Sequence, residues 1–515
     1  MAQMVGFPGS PAAHAQSDLA DTKMGDFEAS ANPNAGLNPQ RNASASATPD
    51  QVGKWSGIKN VPLVPVFAAL LPDGRVLFWD SAGGTAPEYH DDHTYTRAVV
   101  WDRKNSSFKD VYVSGHNIFC SGFAHLPNGD VFVAGGNKNS ELDGINKTHI
   151  FDYSSDTWYA GPDMAYERWY PSVAARPNGE HVIMGGGPAV PEVTEGDHTS
   201  WRSLTSADWG SHRSLYPFVQ TAPNGKVLYA GPKKKMALLF TKDTGSWQFF
   251  DHRDALYRFY ASYAMYRVGK VLVAGGGPEG ALPTNSAVVI DWNGATPVSS
   301  STGNMNYGRR QFNLTLLPDG TVLATGGLSS TAGYVDLGAA VYNAESWDPK
   351  TGTWTTLAPQ AVARQYHSVA LLLPDGKVVS AGGGVCDVCQ EQGYLRKDME
   401  IFAPPYLFKK DGSGALADRP KITFAPSRVH YGNPFTISTD GKTISNAAFI
   451  KLGAVTHGQD MDQRYVPLSF VAQGSGTLLI TPPANNKIAP PGHYMLFIID
   501  DAGAPSKAWF VRIRH

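Results

Sequence analysis

From about residue 65 the chain repeats one hydrophobic pattern. An apolar residue leads into a Pro-Asp-Gly or Pro-Asn-Gly turn, a short alternating run follows, and Gly-Gly often ends it. The pattern reads LPDGRVLFWD, LPNGDVFVAGG, RPNGEHVIMGG, APNGKVLYAG, YRVGKVLVAGGG, LPDGTVLATGG and LPDGKVVSAGGG. The turn glycines Gly74, Gly129, Gly179, Gly225, Gly269, Gly320 and Gly376 are separated by 55, 50, 46, 44, 51 and 56 residues. Pro presets φ, Asp or Asn tolerates the turn, and Gly supplies a positive φ between two strands. The closing Gly pair permits a close backbone approach at the strand end. Aromatic runs such as DTWYAGP, GSWQFFD and GTWTTLAP add a further strand to several units, and helix-length amphipathic segments are nearly absent. Seven β-units at a period near 50 predict an all-β, seven-bladed kelch-type β-propeller over residues 52–415, each blade a four-stranded sheet.

After Arg419-Pro420 the rhythm changes to short alternating runs every ten to fifteen residues: KITFAP, PFTIST, AAFIKL, PLSFVA, TLLITP, HYMLFIID and AWFVRI. That spacing predicts an immunoglobulin-like β-sandwich over residues 416–515. Residues 1–51, rich in Ala, Ser, Asn, Gln, Pro and Gly, read as a flexible lead-in. Within it, Ala13-His14-Ala15 before Gln16 has the small-x-small form of a signal-peptidase site without a charged or apolar region ahead of it. A trimmed export signal is expected, and with it a secreted, periplasmic or cell-surface location.

Composition narrows the function classes. The 515 residues carry 43 Lys+Arg against 45 Asp+Glu, so the net charge of −2 gives no nucleic-acid footprint and no polybasic membrane patch. No apolar stretch is long enough for a membrane-spanning helix. Nothing in the charge pattern calls for a macromolecular partner, and a monomer acting on a small molecule is expected.

Three cysteines follow. Cys386 and Cys389 form a CxxC in GGGVCDVCQ, and Cys120 stands alone in NIFCSGF. A CxxC serves as a redox pair, half a zinc site or a short-loop disulfide. No second Cys/His pair lies near it, so the local disulfide is preferred over zinc; it implies an oxidising compartment and leaves Cys120 to be explained. The stretch Gly275-Gly276-Gly277-Pro278-Glu279-Gly280 superficially resembles a phosphate loop but has no helix behind it, and it reads as a strand end. Tyr89-His90-Asp91-Asp92-His93 has metal-binding residue types and reads as a solvated loop. A further constellation is dispersed: NIFCSGF at Cys120, ERWYPS at Tyr170, RQYHS at Tyr366-His367 and VTHGQDMDQRYVPL at His457. Spacing alone does not select these from 22 tyrosines and 15 histidines.

Those four motifs, in this order, resemble the copper radical oxidases, the group of galactose oxidase and glyoxal oxidase. The resemblance covers most of residues 60–515, and its longest segments are RQYHSVALLLPDGKVVSAGGGVCDVC and THGQDMDQRYVPL. It implies one copper ion, with Tyr170, His367 and His457 as equatorial ligands and Tyr366 axial. It also implies a thioether between Cys120 and Tyr170, forming a tyrosine that holds a radical, and a disulfide between Cys386 and Cys389. His457 then reaches the propeller's axis from the sandwich domain.

The implied chemistry accounts for the residue types. Copper cycles by one electron, whereas oxidising an alcohol or aldehyde removes two, so a second one-electron centre is required. A phenol bearing an ortho sulfur supplies it, and two imidazoles with oxygen donors suit tetragonal Cu(II). Tyr366 acts as general base, Tyr170 accepts a hydrogen atom, copper takes an electron, and dioxygen leaves as hydrogen peroxide. Tyr366 and His367 are neighbours, and neighbours on a regular strand face opposite ways, so irregular backbone is expected there. Arg168-Trp169-Tyr170-Pro171 is similar to the glyoxal oxidase branch, since galactose oxidase has a small residue before the tyrosine. Residues 1–50 are also too short for the N-terminal sugar-binding domain of galactose oxidase. Small aldehydes oxidised as gem-diols are therefore the expected substrates, with primary alcohols second and a non-catalytic binding platform third. Trp169, Trp201 and Trp209 are the candidates for an indole stacked on the thioether.

Overall fold

The computed structural model describes residues 47–81, 93–139, 141–210 and 214–514. The Ala13-His14-Ala15 stretch and Tyr89 to Asp92 lie outside them. Among the described residues α-helix is confined to Pro49–Val52 and Asp387–Glu391, and the rest of the regular structure is almost wholly β.

Each repeat builds strands as its sequence directs. The Pro-Asp-Gly and Pro-Asn-Gly turns join an inner strand to the next one outward, as Gly122–His125 joins Val131–Ala134 around Gly129. The strand-end glycines have a specific partner. In four repeats a buried arginine donates to a glycine carbonyl: Arg168 to Gly185 (2.9 Å), Arg258 to Gly275 (2.8 Å), Arg309 to Gly326 (2.9 Å) and Arg364 to Gly382 (3.0 Å). Each guanidinium also meets an acid, Glu192, Asp254, Glu345 or Asp398. Such buried charges persist because they are paired and hydrogen-bonded. Gly275, expected as a strand end, is one of these acceptors.

The expectation of seven blades is corrected, while the C-terminal sandwich does follow the propeller. Five blade sheets are self-contained, not seven: those spanning 122–160, 171–203, 219–252, 310–359 and 368–403. The last is completed by Lys54–Trp55 and Lys59–Asn60 from the chain's beginning, both paired with Asp398–Ala403. The strands of the first repeat (Phe67–Leu70, Val76–Trp79, Ala98–Asp102, Ser107–Asp110) and of the fifth (Ser262–Arg267, Lys270–Ala274, Ala287–Asp291, Val298–Ser301) do not close on themselves. They are hydrogen-bonded with the C-terminal strands into one 17-stranded sheet. The cause is a hairpin of Ala454–Thr456 and the first part of Gln459–Ala472. It pairs antiparallel with Phe67–Leu70 and parallel with Ser262–Arg267. A repeat pattern records which residues form strands, but not which strand edge a distant hairpin will occupy.

The hairpin is polar yet buried. Gln459, Asp460, Asp462, Gln463 and Arg464 are each under 5 % exposed. Asp460 accepts from the backbone N–H groups of Ala454, Asp462 and Gln463 at 2.9–3.0 Å. Gln463 exchanges bonds with Leu314 O (2.7 Å) and Leu316 N (2.9 Å), and Arg464 donates to Thr221 O (2.6 Å). Asp462 bridges Lys451 Nζ (2.6 Å) and His125 Nδ1 (2.8 Å), joining the C-terminal unit to the second repeat. Beyond Arg464 the same strand enters a sandwich core of Ile437, Phe449, Val466, Ile480, Leu496 and Val511.

Lys451 beside Asp462 holds its carboxyl far below the ordinary value of 3.8, against the opposing effect of burial. A depressed carboxyl contributes stability that is present above 3.8 and lost as pH falls through the acid range. Asp462→Asn leaves Lys451 buried without its counter-charge and should cost about 3–5 kcal/mol in urea unfolding at neutral pH. It should also flatten the acid limb of the stability curve, and an unchanged acid limb would contradict this assignment.

Candidate metal centre

The residues singled out in the sequence meet at the propeller axis through a backbone device. Cys120, Tyr170, Tyr216, Tyr260, Gln311 and His367 all have left-handed φ, between 40° and 65°. Each lies nine residues before the turn glycine of its own repeat: 129 − 120, 179 − 170, 225 − 216, 269 − 260, 320 − 311 and 376 − 367. The first repeat has Pro65 at this position, whose ring forbids positive φ. His457, at the hairpin tip, is left-handed as well, at 49°. The ring is stitched between neighbouring repeats: Tyr170 N donates to Cys120 O (2.8 Å), Tyr216 N to Tyr170 O (2.7 Å) and Gln311 N to Tyr260 O (3.1 Å).

A left-handed residue interrupts strand alternation, so two consecutive side chains face the same way. Their rings then meet: Trp169 stacks on Tyr170 (3.8 Å between centroids, 6°) and Tyr366 on His367 (3.6 Å, 25°), while Phe259 lies tilted against Tyr260 (4.2 Å, 57°). This is the irregularity expected at Tyr366-His367. Of the three indoles, Trp169 covers Tyr170. Trp201 packs on Phe132, and Trp209 stacks on Trp247.

The oxygen of Tyr170 is the convergence point. His457 Nε2 lies 2.8 Å from it, His367 Nε2 lies 3.4 Å away, and the Tyr366 hydroxyl is hydrogen-bonded to it. The tautomers follow from the outer partners. Gly384 O can only accept, so His367 Nδ1 carries a proton (2.5 Å). Thr456 Oγ1 donates to Val66 O (2.9 Å) and therefore accepts from His457 Nδ1 (2.7 Å). Both Nε2 lone pairs thus point inward, the orientation that outer-shell bonds give metal-binding imidazoles. Burial pushes His367 down to about 3 and His457 well below the ordinary 6.5, so both are neutral. Burial, with the neighbouring phenols and Cys120, pushes Tyr170 well above 10. Two neutral imidazoles and two phenol oxygens, withdrawn from water, fit a copper ion, whose charge would bring the Tyr170 phenol down.

Cys120 is a free, fully buried thiol. Burial drives its pKa well above 9.0, and the adjacent Tyr170 and Trp169 side chains lower it only partly. Cys386 and Cys389 are joined by a disulfide. With Val335 and Tyr394 they form a small apolar cluster against Tyr366. The preceding loop needs glycine: Gly384 has φ 116°, and a Cβ there would meet Tyr394 O at 2.1 Å. An enclosed pocket beside the centre is lined by Tyr170, Leu215, Tyr216, Phe259, Tyr260 and His457. Tyr216 and Tyr260 were not singled out in the sequence, although the nine-residue offset from the turn glycine marks both.

A family model described as Glyoxal oxidase N-terminus matches residues 84–406, and one described as Galactose oxidase-like, Early set domain matches residues 419–513. Galactose oxidase of Gibberella zeae is 32 % identical over 516 residues, covering 93 % of this chain and 73 % of that protein. This chain belongs to the copper radical oxidase family. The relatives also include Aldehyde oxidase GLOX of Vitis pseudoreticulata, 25 % identical over 81 % of this chain and 86 % of its own length. A fungal alcohol oxidase of the AA5 family, solved in complex with copper, superposes with a TM-score of 0.82 at 28 % identity. That match covers 90 % of this chain and all of the other. This copper radical oxidase is therefore an oxidase by membership.

With His367 and His457 already neutral, copper uptake at pH 7 should displace protons from phenol and not from imidazole. Calorimetric titration in buffers of different ionisation enthalpy should report release of about two protons, one each from Tyr170 and Tyr366. His457→Ala should weaken binding by at least about tenfold. Buffer-independent heats would show that both phenols stay protonated.

Proposed function

We propose that the protein oxidises small aldehydes of the glyoxal and methylglyoxal type, as their gem-diols, to carboxylic acids, with reduction of dioxygen to hydrogen peroxide. The observation carrying this reading is the indole of Trp169 lying flat on Tyr170 from the preceding position. It is the local feature of the Arg168-Trp169-Tyr170-Pro171 motif by which the chain is similar to the glyoxal oxidase branch. The match to the Glyoxal oxidase N-terminus model supports the same reading.

Tyr170, Tyr366, His367 and His457 would hold the copper ion. Bound there, copper would supply a one-electron couple and Lewis acidity toward a substrate oxygen. Tyr366 Oη, as the phenolate left when its proton is released on metal binding, takes the proton of the substrate hydroxyl, and its stacking on His367 fixes where that oxygen stands. Tyr170, in its oxidised phenoxyl form, takes a hydrogen atom from the substrate carbon. The aromatic pocket excludes water from both transfers. Overall, the gem-diol loses two protons and two electrons, and dioxygen gains both.

The Cys120–Tyr170 thioether forms by loss of the thiol hydrogen and one ring hydrogen as two protons and two electrons, the electrons passing to dioxygen. Cys120 is buried against Tyr170 for this purpose and stays protonated until then. The Cys386–Cys389 bond suits an oxidising compartment, and we place the protein outside the cytoplasm on that ground. A second reading, primary-alcohol oxidation with sugars or glycans as substrates, is favoured by the 32 % identity to galactose oxidase. The solved fungal alcohol oxidase points the same way.

Mass spectrometry of reduced, digested protein after aerobic copper loading should show the Cys120 and Tyr170 peptides joined with loss of two hydrogens. Peroxide release should be faster with methylglyoxal than with galactose, and the reverse order would establish the alcohol reading. Tyr366→Phe should lower kcat by about 10²–10⁴-fold, the range of a lost general base. A free Cys120 thiol in copper-loaded protein would exclude the radical chemistry altogether.

A further inference from the structure

A phenol that loses an electron becomes electron-poor across its ring, so what lies on each face of Tyr170 matters. Trp169 covers one face in parallel at 3.8 Å. Tyr216 packs against the same ring at 4.5 Å and 30°, and it also touches His457 at 4.6 Å and 37°. No ring contact joins Trp169 to Tyr216 among the described residues, so the two rings lie on opposite faces of Tyr170.

Tyr216 is held there by two hydrogen bonds. Its backbone N–H donates to Tyr170 O (2.7 Å), and its hydroxyl donates to the carbonyl of Ser121, next to Cys120 (2.9 Å). Its backbone sits at φ 40°, a conformation that costs a tyrosine on the order of 1 kcal/mol and persists only where surrounding structure enforces it. The side chain is 3 % exposed. It occupies, in its own repeat, the position that Cys120, Tyr170 and His367 occupy in theirs. The hydroxyl's donation to Ser121 O leaves the Tyr216 ring richer in electrons, and an electron-rich face attracts positive charge.

We propose that Tyr216 is a positioning residue for the oxidised form of Tyr170: its ring closes the second face of that phenol and stabilises it after one electron has left. Trp169 and Tyr216 then form a sandwich around the redox tyrosine, and Tyr216 also fixes the plane of His457 relative to it. This inference rests on the reading of Tyr170 as the radical site.

The test uses full-length, copper-loaded, aerobically matured protein titrated with the ferric/ferrous hexacyanide couple. In that titration one electron passes from Tyr170 to the ferric complex, and the phenoxyl absorption band is followed. Tyr216→Leu should require about a tenfold higher ferric-to-ferrous ratio for half-oxidation, the scale of one lost aromatic pair. Tyr216→Phe, which keeps the ring, should stay within about twofold of the natural protein on the same scale. Should Tyr216→Leu not fold, Tyr216→Met fills the space without a π face and carries the same expectation. A natural-protein ratio in the Leu or Met variant, with the thioether formed, overturns the inference alone. If the natural protein forms neither thioether nor phenoxyl band, the proposed function falls, and this inference with it.

Discussion

A propeller leaves the inner edge of its innermost strands facing the axis, and unpaired backbone groups withdrawn from water are costly. Here a polar hairpin from the C-terminal unit fills that axis. It pairs with Phe67–Leu70 on one side and Ser262–Arg267 on the other, and its Gln463 and Arg464 side chains reach further inner strands. The Asp462 bridge between Lys451 and His125 holds the base of the hairpin in place. Everything at the centre depends on this insertion, because the hairpin tip carries His457. It also explains why two repeats lose their identity as separate sheets: their inner edges are where the hairpin binds.

Around that axle, one backbone conformation at a fixed place in each repeat turns structural strands into a site. Left-handed residues at successive inner-strand starts direct pairs of adjacent side chains toward the axis. Trp169 with Tyr170, and Tyr366 with His367, are two such pairs, and their stacking is its consequence. The strain is spread over six repeats and balanced by inter-strand bonds such as Tyr170 N to Cys120 O. Strain concentrated at functional positions and supported by the surrounding fold is a recurring arrangement.

The electrostatic character of the centre follows from its depth. Desolvation keeps both imidazoles neutral and both Tyr170 and Cys120 protonated, while Gly384 and Thr456 turn the two Nε2 atoms inward. Such a set is weakly charged by itself and preorganised for a divalent cation. The proposed oxidation needs this combination, since the same tyrosine must bind a metal, give up an electron and accept a hydrogen atom. The two parts of the chain meet at this centre: the propeller brings Cys120, Tyr170, Tyr366 and His367, and the C-terminal unit brings His457.

The sequence by itself determined the repeat period, the all-β class and the change of rhythm near Arg419. Pro-Asp-Gly turns and alternating apolar runs are local properties, read within a dozen residues. The motifs around Cys120, Tyr170, Tyr366-His367 and His457 carried the family, and with it the expectation that they meet. Local pattern could not say which strand edges a hairpin some 390 residues away in the chain would take, as Thr456 does opposite Phe67, so the number of self-contained blades was decided only in three dimensions. Nor could it choose among Trp169, Trp201 and Trp209, or pick out Tyr216, because stacking on Tyr170 depends on backbone φ and on which repeats are neighbours. Strand formation is set by nearby residues, whereas edge pairing, ring stacking and desolvation arise only when distant segments close on one another.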